Sequence, residues 1–178
     1  ALDEQSITED ATFAWYCAAD APLHPWQGVT QPDGDKAHAY TWNKAPRLAG
    51  EVVETGAIAR QLASGQSLIR DVVSRYGGCV LTRVLARMVE LARVVPMMEA
   101  WLKSIQPNEA FCVPTELPDD GYAVGLSEAA RGALGHWFNV RGGRIMNYQI
   151  VAPTSWNFSP RDAIGQPGAL EQALIGAP

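Results

Sequence analysis

The segment Gly125-Leu-Ser-Glu-Ala-Ala-Arg-Gly-Ala-Leu-Gly135-His-Trp137 concentrates more chemistry than any other stretch of the chain. It places three glycines, the carboxylate of Glu128, the guanidinium of Arg131 and the imidazole of His136 within thirteen residues. Glycines let backbone and ligand approach closely, so the arrangement suits an arginine presented from a tight turn to an electron-rich ligand. The same residues also suit a purely structural turn closed by an Arg131 to Glu128 ion pair. His24 and His38 stand apart in proline- and glycine-rich loops, and His136 has no carboxylate partner at metal-ligand spacing. Cys17, Cys79 and Cys112 lie 62 and 33 residues apart, which leaves no CxxC pair for a metal or a redox couple. Such spacing predicts three small core or half-buried thiols in a reducing compartment. No nucleophile elbow, phosphate loop or HExxH pattern is present.

The chain that must position these residues has 178 of them, enough for one domain, with 47% hydrophobic and 19% charged side chains. Its net charge of -5 argues against a general nucleic-acid binder. The apolar stretch Gly77 to Ile105 is interrupted by Arg83, Arg87, Glu90, Arg93, Glu99 and Lys103, which excludes a membrane span there. The opening Ala-Leu-Asp-Glu-Gln has neither the basic start nor the apolar run of a targeting peptide and reads as cut from something longer. A cytoplasmic location, or the cytoplasmic face of a membrane, is the expectation.

Hydrophobic patterning divides the chain into three regions. Residues 1–47 are rich in aromatics and turn formers, with strands expected at Phe13 to Cys17 and at Tyr40 to Lys44, the latter ended by Pro46. Residues 48–105 read as helix: one from Leu48 to Tyr76, broken near Ser64-Gly65, then a long amphipathic one whose stripe of Leu81, Val84, Leu85, Met88, Leu91 and their successors predicts a buried face, with the methionines filling the core. Pro96 predicts a kink in it. Residues 106–178 read as loop, a short strand at Tyr122 to Leu126, a hairpin of Leu134 to Val140 and Arg144 to Val151 about Gly142-Gly143, an irregular stretch from Trp156, and a terminal helix Ala169 to Leu174. The fold class is α+β, with long amphipathic helices in the middle and a small sheet assembled late in sequence.

Six ordered blocks carry a resemblance. Glu128-Ala-Ala-Arg-Gly-Ala-Leu-Gly-His-Trp137, Asn147-Tyr-Gln-Ile-Val-Ala-Pro-Thr-Ser-Trp-Asn-Phe-Ser-Pro-Arg-Asp162 and Pro167-Gly-Ala-Leu-Glu-Gln-Ala-Leu-Ile-Gly-Ala-Pro178 resemble the C-terminal half of the nickel-iron hydrogenase large subunit. Pro22-Leu-His-Pro-Trp-Gln-Gly28, Trp42-Asn-Lys-Ala-Pro-Arg47 and Glu54-Thr-Gly-Ala-Ile-Ala-Arg60 resemble its earlier landmarks in the same order. Where that family usually has Ala-Pro-Arg-Gly, this chain has Ala129-Ala-Arg-Gly132, a form that resembles the cyanobacterial-type uptake and hydrogen-sensing subgroup.

The resemblance implies part of a mainly helical large-subunit fold and a parent that cleaves dihydrogen heterolytically. It also implies a nickel-iron centre carrying cyanide and carbon monoxide, and an iron-sulfur small subunit as partner. A hydrogen sensor signalling to a kinase is the alternative. By the same resemblance Arg131 overhangs the metals, Arg131 and Thr154 donate to cyanide, and Leu134 and Pro153 line the apolar pocket around carbon monoxide. The Ile150 carbonyl and Lys44 belong to a magnesium-type site. The family's four cysteine ligands, in two CxxC pairs, have no counterpart among residues 1–178, so the 178-residue segment is expected to hold no metal and to be inactive by itself.

Overall fold

The computed structural model describes residues 3–17, 19–116 and 118–177. The chain forms two compact units, Ala1–Gly56 with Asp119–Pro178, and Ala57–Pro118. In the first, β1 (Ile7–Asp10) pairs antiparallel with β2 (Ala45–Leu48), with Ile7 opposite Leu48 and Asp10 opposite Ala45. Pro46 lies inside β2 rather than ending a strand at Tyr40 to Lys44: in a two-stranded ribbon each strand has a free edge, where a missing N–H costs nothing. Phe13 to Cys17 does not form a strand either. Only Ala14 and Tyr16 make isolated bridges, to Thr41 and Pro32, because this segment spends its backbone groups on two different loops.

The late sheet is a meander of β3 (Gly121–Ala129), β4 (Gly132–Arg141) and β5 (Arg144–Val151) in that order. Gly142 and Gly143 both take positive φ, +55° and +67°, between the paired Arg141 and Arg144, the geometry of a two-residue primed turn. β5 gives way to a short helix, α4 (Pro153–Asn157), then irregular chain, then α5 (Ala169–Leu174), the expected terminal helix. The unit's apolar core is Ile7, Trp137, Val151 and Trp156, flanked by Trp26, Leu48, Val53 and Ala133. Trp137 satisfies its indole N–H on Glu4 Oε2 at 3.1 Å.

The second unit holds α1 (Ala57–Ala63), α2 (Ser67–Tyr76) and α3 (Val80–Ser104). Helix starts at Ala57, not at Leu48. Gly56 has φ +123°, incompatible with helix, and the backbone before it is extended. The break near Ser64-Gly65 lies where expected, and Gln66 then caps α2 by accepting from the Ile69 N–H at 2.9 Å. Only α3 is long, and it remains helical through Pro96.

Its apolar stripe is not the buried face. Ala57, Ile58, Ile69 and Ala86 form the cluster, with Leu62, Val73, Leu85 and Val89 against it. Thr82 is also fully buried, whereas Met88 and Met98 are 63% and 58% exposed, so the methionines do not fill this core. The small side chains of Thr82 and Ala86 let α3 pack closely, and that contact turns the bulkier stripe outward. The thiols depart from expectation as well: Cys79 is half-buried at the start of α3, but Cys17 and Cys112 are exposed on loops. Among the described residues no helix is long and apolar enough to cross a membrane.

Candidate functional site

Arg131 sits at the tip of the β3–β4 hairpin, in the two-residue turn Ala130–Arg131 closed by the Ala129–Gly132 pair, with its side chain exposed. Backbone packing fixes the tip. Gly132, at φ +135°, lies so close to Thr55 and Gly56 that a Cβ would stand 2.2 Å from Thr55 Oγ1 and 2.8 Å from the Gly56 nitrogen. A Cβ on Gly56 would in turn meet the Arg131 carbonyl at 3.1 Å. The turn therefore accepts no larger residue, which explains Gly132 beside the arginine.

Asn157, at the end of α4, ties this tip to its surroundings. Its Oδ1 accepts from the Thr55 N–H at 2.9 Å, and its Nδ2 donates to the Thr55 carbonyl at 3.1 Å and to the Arg131 carbonyl at 3.5 Å. Thr55 Oγ1 is buried with no partner. Leu134 is half-buried one step beyond the Gly135–Val151 pair, so it stands level with Ala152, the cap of α4. Pro153 opens α4 in the position where a missing N–H is harmless, and Thr154 follows it, exposed. Arg131 at the β3–β4 tip, Leu134 on β4, and Pro153 and Thr154 directly after β5 thus lie toward the same end of the sheet.

The segment Trp42 to Arg47 braces that end through two side chains, Asn43 and Arg47. Asn43 Nδ2 donates to the carbonyls of Thr154, Ser155 and Phe158 at 3.4, 3.2 and 3.0 Å, gripping the C-terminal end of this five-residue helix. Arg47, 3% exposed, pairs through Nε with Asp162 Oδ2 at 2.9 Å and spends its other N–H groups on the carbonyls of Pro46, Pro160 and Gln166 and on Ser159 Oγ. Lys44 points the other way. Its Nζ donates to Thr30 Oγ1 at 3.1 Å and to Gln149 Oε1 at 2.9 Å, and lies 3.7 Å from Glu9 Oε2.

This second polar group includes a residue that the sequence reading missed. Glu9 is buried in β1 and its Oε2 has no hydrogen-bond partner. A cavity of about 220 Å³ adjoins it, lined by Glu9, Cys17, Leu23, Val29 and Lys44 among others. Burial pushes the Glu9 carboxyl up from the usual carboxylate range, while the Lys44 ammonium draws it back. Gln149, 4% exposed, precedes Ile150 in β5, and Ile150 pairs with His136 in β4. The one available signal is an acidic pair, Glu9-Asp10, directly after the β-branched Ile7-Thr8.

Two of the three histidines, His24 and His136, make local contacts. His24 Nδ1 accepts from the Trp26 N–H at 3.2 Å and its Nε2 faces the Glu4 carbonyl at 3.1 Å. His136 Nδ1 lies 2.6 Å from the Tyr148 hydroxyl. Among the described residues no three His, Cys, Asp or Glu side chains converge as a metal would require. The dispersed thiols do not fit a nickel-iron ligand set. Glu9, Lys44 and Gln149 supply one carboxylate, one ammonium and one amide, which fits an outer shell rather than a complete cation site.

The nickel-dependent hydrogenase family matches residues 1–178. The uptake hydrogenase large subunit of Azotobacter chroococcum is 32% identical over 96% of this chain and 36% of its own length. The periplasmic NiFeSe hydrogenase large subunit of Desulfomicrobium baculatum is 36% identical over 90% of this chain and 35% of its own length. The solved Ni-Fe-Se hydrogenase from D. vulgaris Hildenborough in the reduced state superposes with a TM-score of 0.89 at 35% identity, covering 99% of this chain and 40% of that one. The chain therefore spans little more than a third of the length of the curated relatives it matches. With the ordered motifs, the sheet and the braced Arg131 turn all in place, the chain belongs to the nickel-dependent hydrogenase family, as part of a large subunit.

Proposed function

We propose that these 178 residues are the C-terminal half of an uptake-type nickel-iron hydrogenase large subunit whose parent pairs with an iron-sulfur small subunit and cleaves dihydrogen reversibly and heterolytically. The names of the relatives, uptake hydrogenases among them, favour the enzyme over a hydrogen sensor. The observation that supports the reading is the braced end of the sheet, where Asn157 holds Thr55 beside the Arg131 turn, Asn43 holds the segment after Pro153 and Thr154, and Gly132 packs on Gly56. A surface that needed only to fold would not require an exposed arginine on a turn this tightly specified.

In this reading the chain contributes no thiolate to the metals, and the isolated segment is inactive. Arg131 supplies a fixed positive charge and directed N–H groups. A guanidinium with pKa above ~12 is a poor base, so its part is positioning and charge stabilisation. Thr154 offers a hydroxyl donor to a cyanide, and Leu134 with Pro153 an apolar wall for carbon monoxide. Lys44 and the Ile150 carbonyl serve the outer shell of a magnesium-type site, with Gln149 and Glu9 beside them.

The test is Arg131→Lys in the complete large subunit with its small subunit. Lysine keeps the charge and loses the planar fork, so dihydrogen cleavage should fall by orders of magnitude with nickel and iron still bound. Near-normal turnover of the fully metallated variant would refute the role.

A further inference from the structure

One side chain joins the two segments that carry Arg131 and Thr154. Asn157 closes α4 three residues after Thr154, and a three-residue step sets two side chains on the same side of a helix. Its half-buried amide works as acceptor and donor together. Oδ1 accepts from the Thr55 N–H at 2.9 Å, while Nδ2 donates to the Thr55 carbonyl at 3.1 Å and to the Arg131 carbonyl at 3.5 Å. Both bonds to Thr55 are to its backbone; the buried Thr55 hydroxyl has no hydrogen-bond partner.

An amide held by the N–H and the carbonyl of one residue cannot rotate without losing one of those bonds, so its reach toward Arg131 has a fixed direction. That reach ends on the Arg131 carbonyl. It therefore sets the backbone from which the exposed guanidinium departs, and the packing of Gly56 against the same carbonyl leaves the turn little room to shift. A long side chain magnifies any tilt of its own backbone, and a displacement of about 1 Å at a reacting group can cost ~100-fold in rate.

We propose that Asn157 is a positioning residue for dihydrogen cleavage, acting through the Arg131 carbonyl to hold the Arg131 guanidinium in register with Thr154. The proposal rests on the reading of Arg131 as the group that stabilises charge during cleavage. Its test uses two Asn157 variants of the complete large subunit with its small subunit, each alone and combined with Arg131→Lys. Asn157→Leu keeps much of the side-chain shape and removes all three bonds. Asn157→Asp keeps the acceptor for the Thr55 N–H, loses the donor, and sets an anion against the Arg131 carbonyl. With nickel and iron still bound, each should lower kcat about 10- to 100-fold and leave KM for dihydrogen unmoved. Once Arg131→Lys has removed the fork, either should change kcat by less than about twofold, whereas a residue that only stabilised the fold would cut both backgrounds by the same factor. Hydrogen exchange gives a readout apart from turnover: in Asn157→Asp the peptide from Ala129 to Gly132 should exchange faster while the Thr55 amide keeps much of its protection.

Near-wild-type kcat in metallated Asn157→Asp, an equal fall in the two backgrounds, or unchanged exchange from Ala129 to Gly132 would each overturn the positioning role. If Asn157→Leu does not assemble, Asn157→Asp decides; loss of the metals from both would assign Asn157 to assembly and overturn the proposal as well. A deep loss in Arg131→Lys beside a silent Asn157→Asp would sink the positioning role alone. Near-normal turnover of Arg131→Lys would sink the reading of Arg131, and the positioning role with it.

Discussion

The two compact units are built by different means. In the unit of Ala1–Gly56 with Asp119–Pro178, polar side chains reach across more than a hundred residues: Arg47 to Asp162, Asn43 to Phe158, Lys44 to Gln149 and Asn157 to Thr55. In the unit of Ala57–Pro118 the core is an apolar cluster of small and branched side chains where α1, α2 and α3 meet, and the directed bonds beside it, Arg60 to Glu90 and Arg93 to Gln61, span only 30 and 32 residues. Apolar packing fills space without direction, whereas a hydrogen bond at 2.9 Å also fixes angle. The candidate site stands in the unit whose segments are joined by such bonds, and a constellation that must hold its geometry needs that kind of support.

The strongest way to break this contrast is Arg47→Met. It removes the guanidinium and leaves Asp162, 6% exposed, as a buried charge without its counter-ion, at a cost of ~3–5 kcal/mol. Hydrogen exchange should lose protection across β1, β2, β4 and β5, while the amides of α2 and α3 keep theirs. Equal losses in both units would show that the two do not differ as argued.

Ile69→Ala is the counterpart in the helical unit. Ile69 is 1% exposed at the centre of the cluster, and its truncation should cost ~2–4 kcal/mol, with protection lost in α1, α2 and α3 alone. Combined with Arg47→Met, the two costs should add within ~0.5 kcal/mol in denaturant unfolding followed by probes for each unit.

Asn157→Ala narrows the question to the tether beneath Arg131. It strands the Thr55 N–H and carbonyl, at ~1–3 kcal/mol, and should raise the Thr55 amide exchange rate before any other in the unit. Asn157→Asp keeps the acceptor for that N–H and should restore much of its protection. Wild-type exchange at Thr55 in the alanine variant would remove Asn157 from the bracing.

Much of this was legible in the residues because it is local. The Gly142-Gly143 turn needs positive φ, and the segments of β5 and α5 lie where the residues predict them. What escaped depends on distant partners. β1 is four residues long and two of them are acidic, so its strand character and the burial of Glu9 arise only once β2 and the Lys44 segment are beside it. The α3 stripe has helical spacing, as its residues predict, but periodicity marks a face without saying whether a neighbour buries it. Here Thr82 and Ala86, the small residues, decided the contact.

The smallest effect, and the finest comparison, is in pH dependence. Each unit contains one carboxylate whose ionisation is displaced, and the two move in opposite directions. Burial raises Glu9 above its ordinary 4.5, so the folded protein holds that proton more tightly than the unfolded chain. Its contribution to stability is complete below pH 4.5 and is lost as pH rises through the raised value. Hydrogen bonds from Arg60 lower Glu90, so its contribution is present above pH 4.5 and is lost as pH falls through the lowered value. Denaturant unfolding from pH 3 to pH 8 should therefore show Glu9→Gln removing a decline on the alkaline side of 4.5, and Glu90→Gln removing a decline on the acid side. Exchange protection monitored in the same series should assign the first change to β1 and β2 and the second to α1 and α3. A Glu9→Gln profile parallel to wild type above pH 4.5 would mean that Lys44 fully offsets the burial of Glu9, making this pair a balanced ion pair rather than a carboxyl under strain.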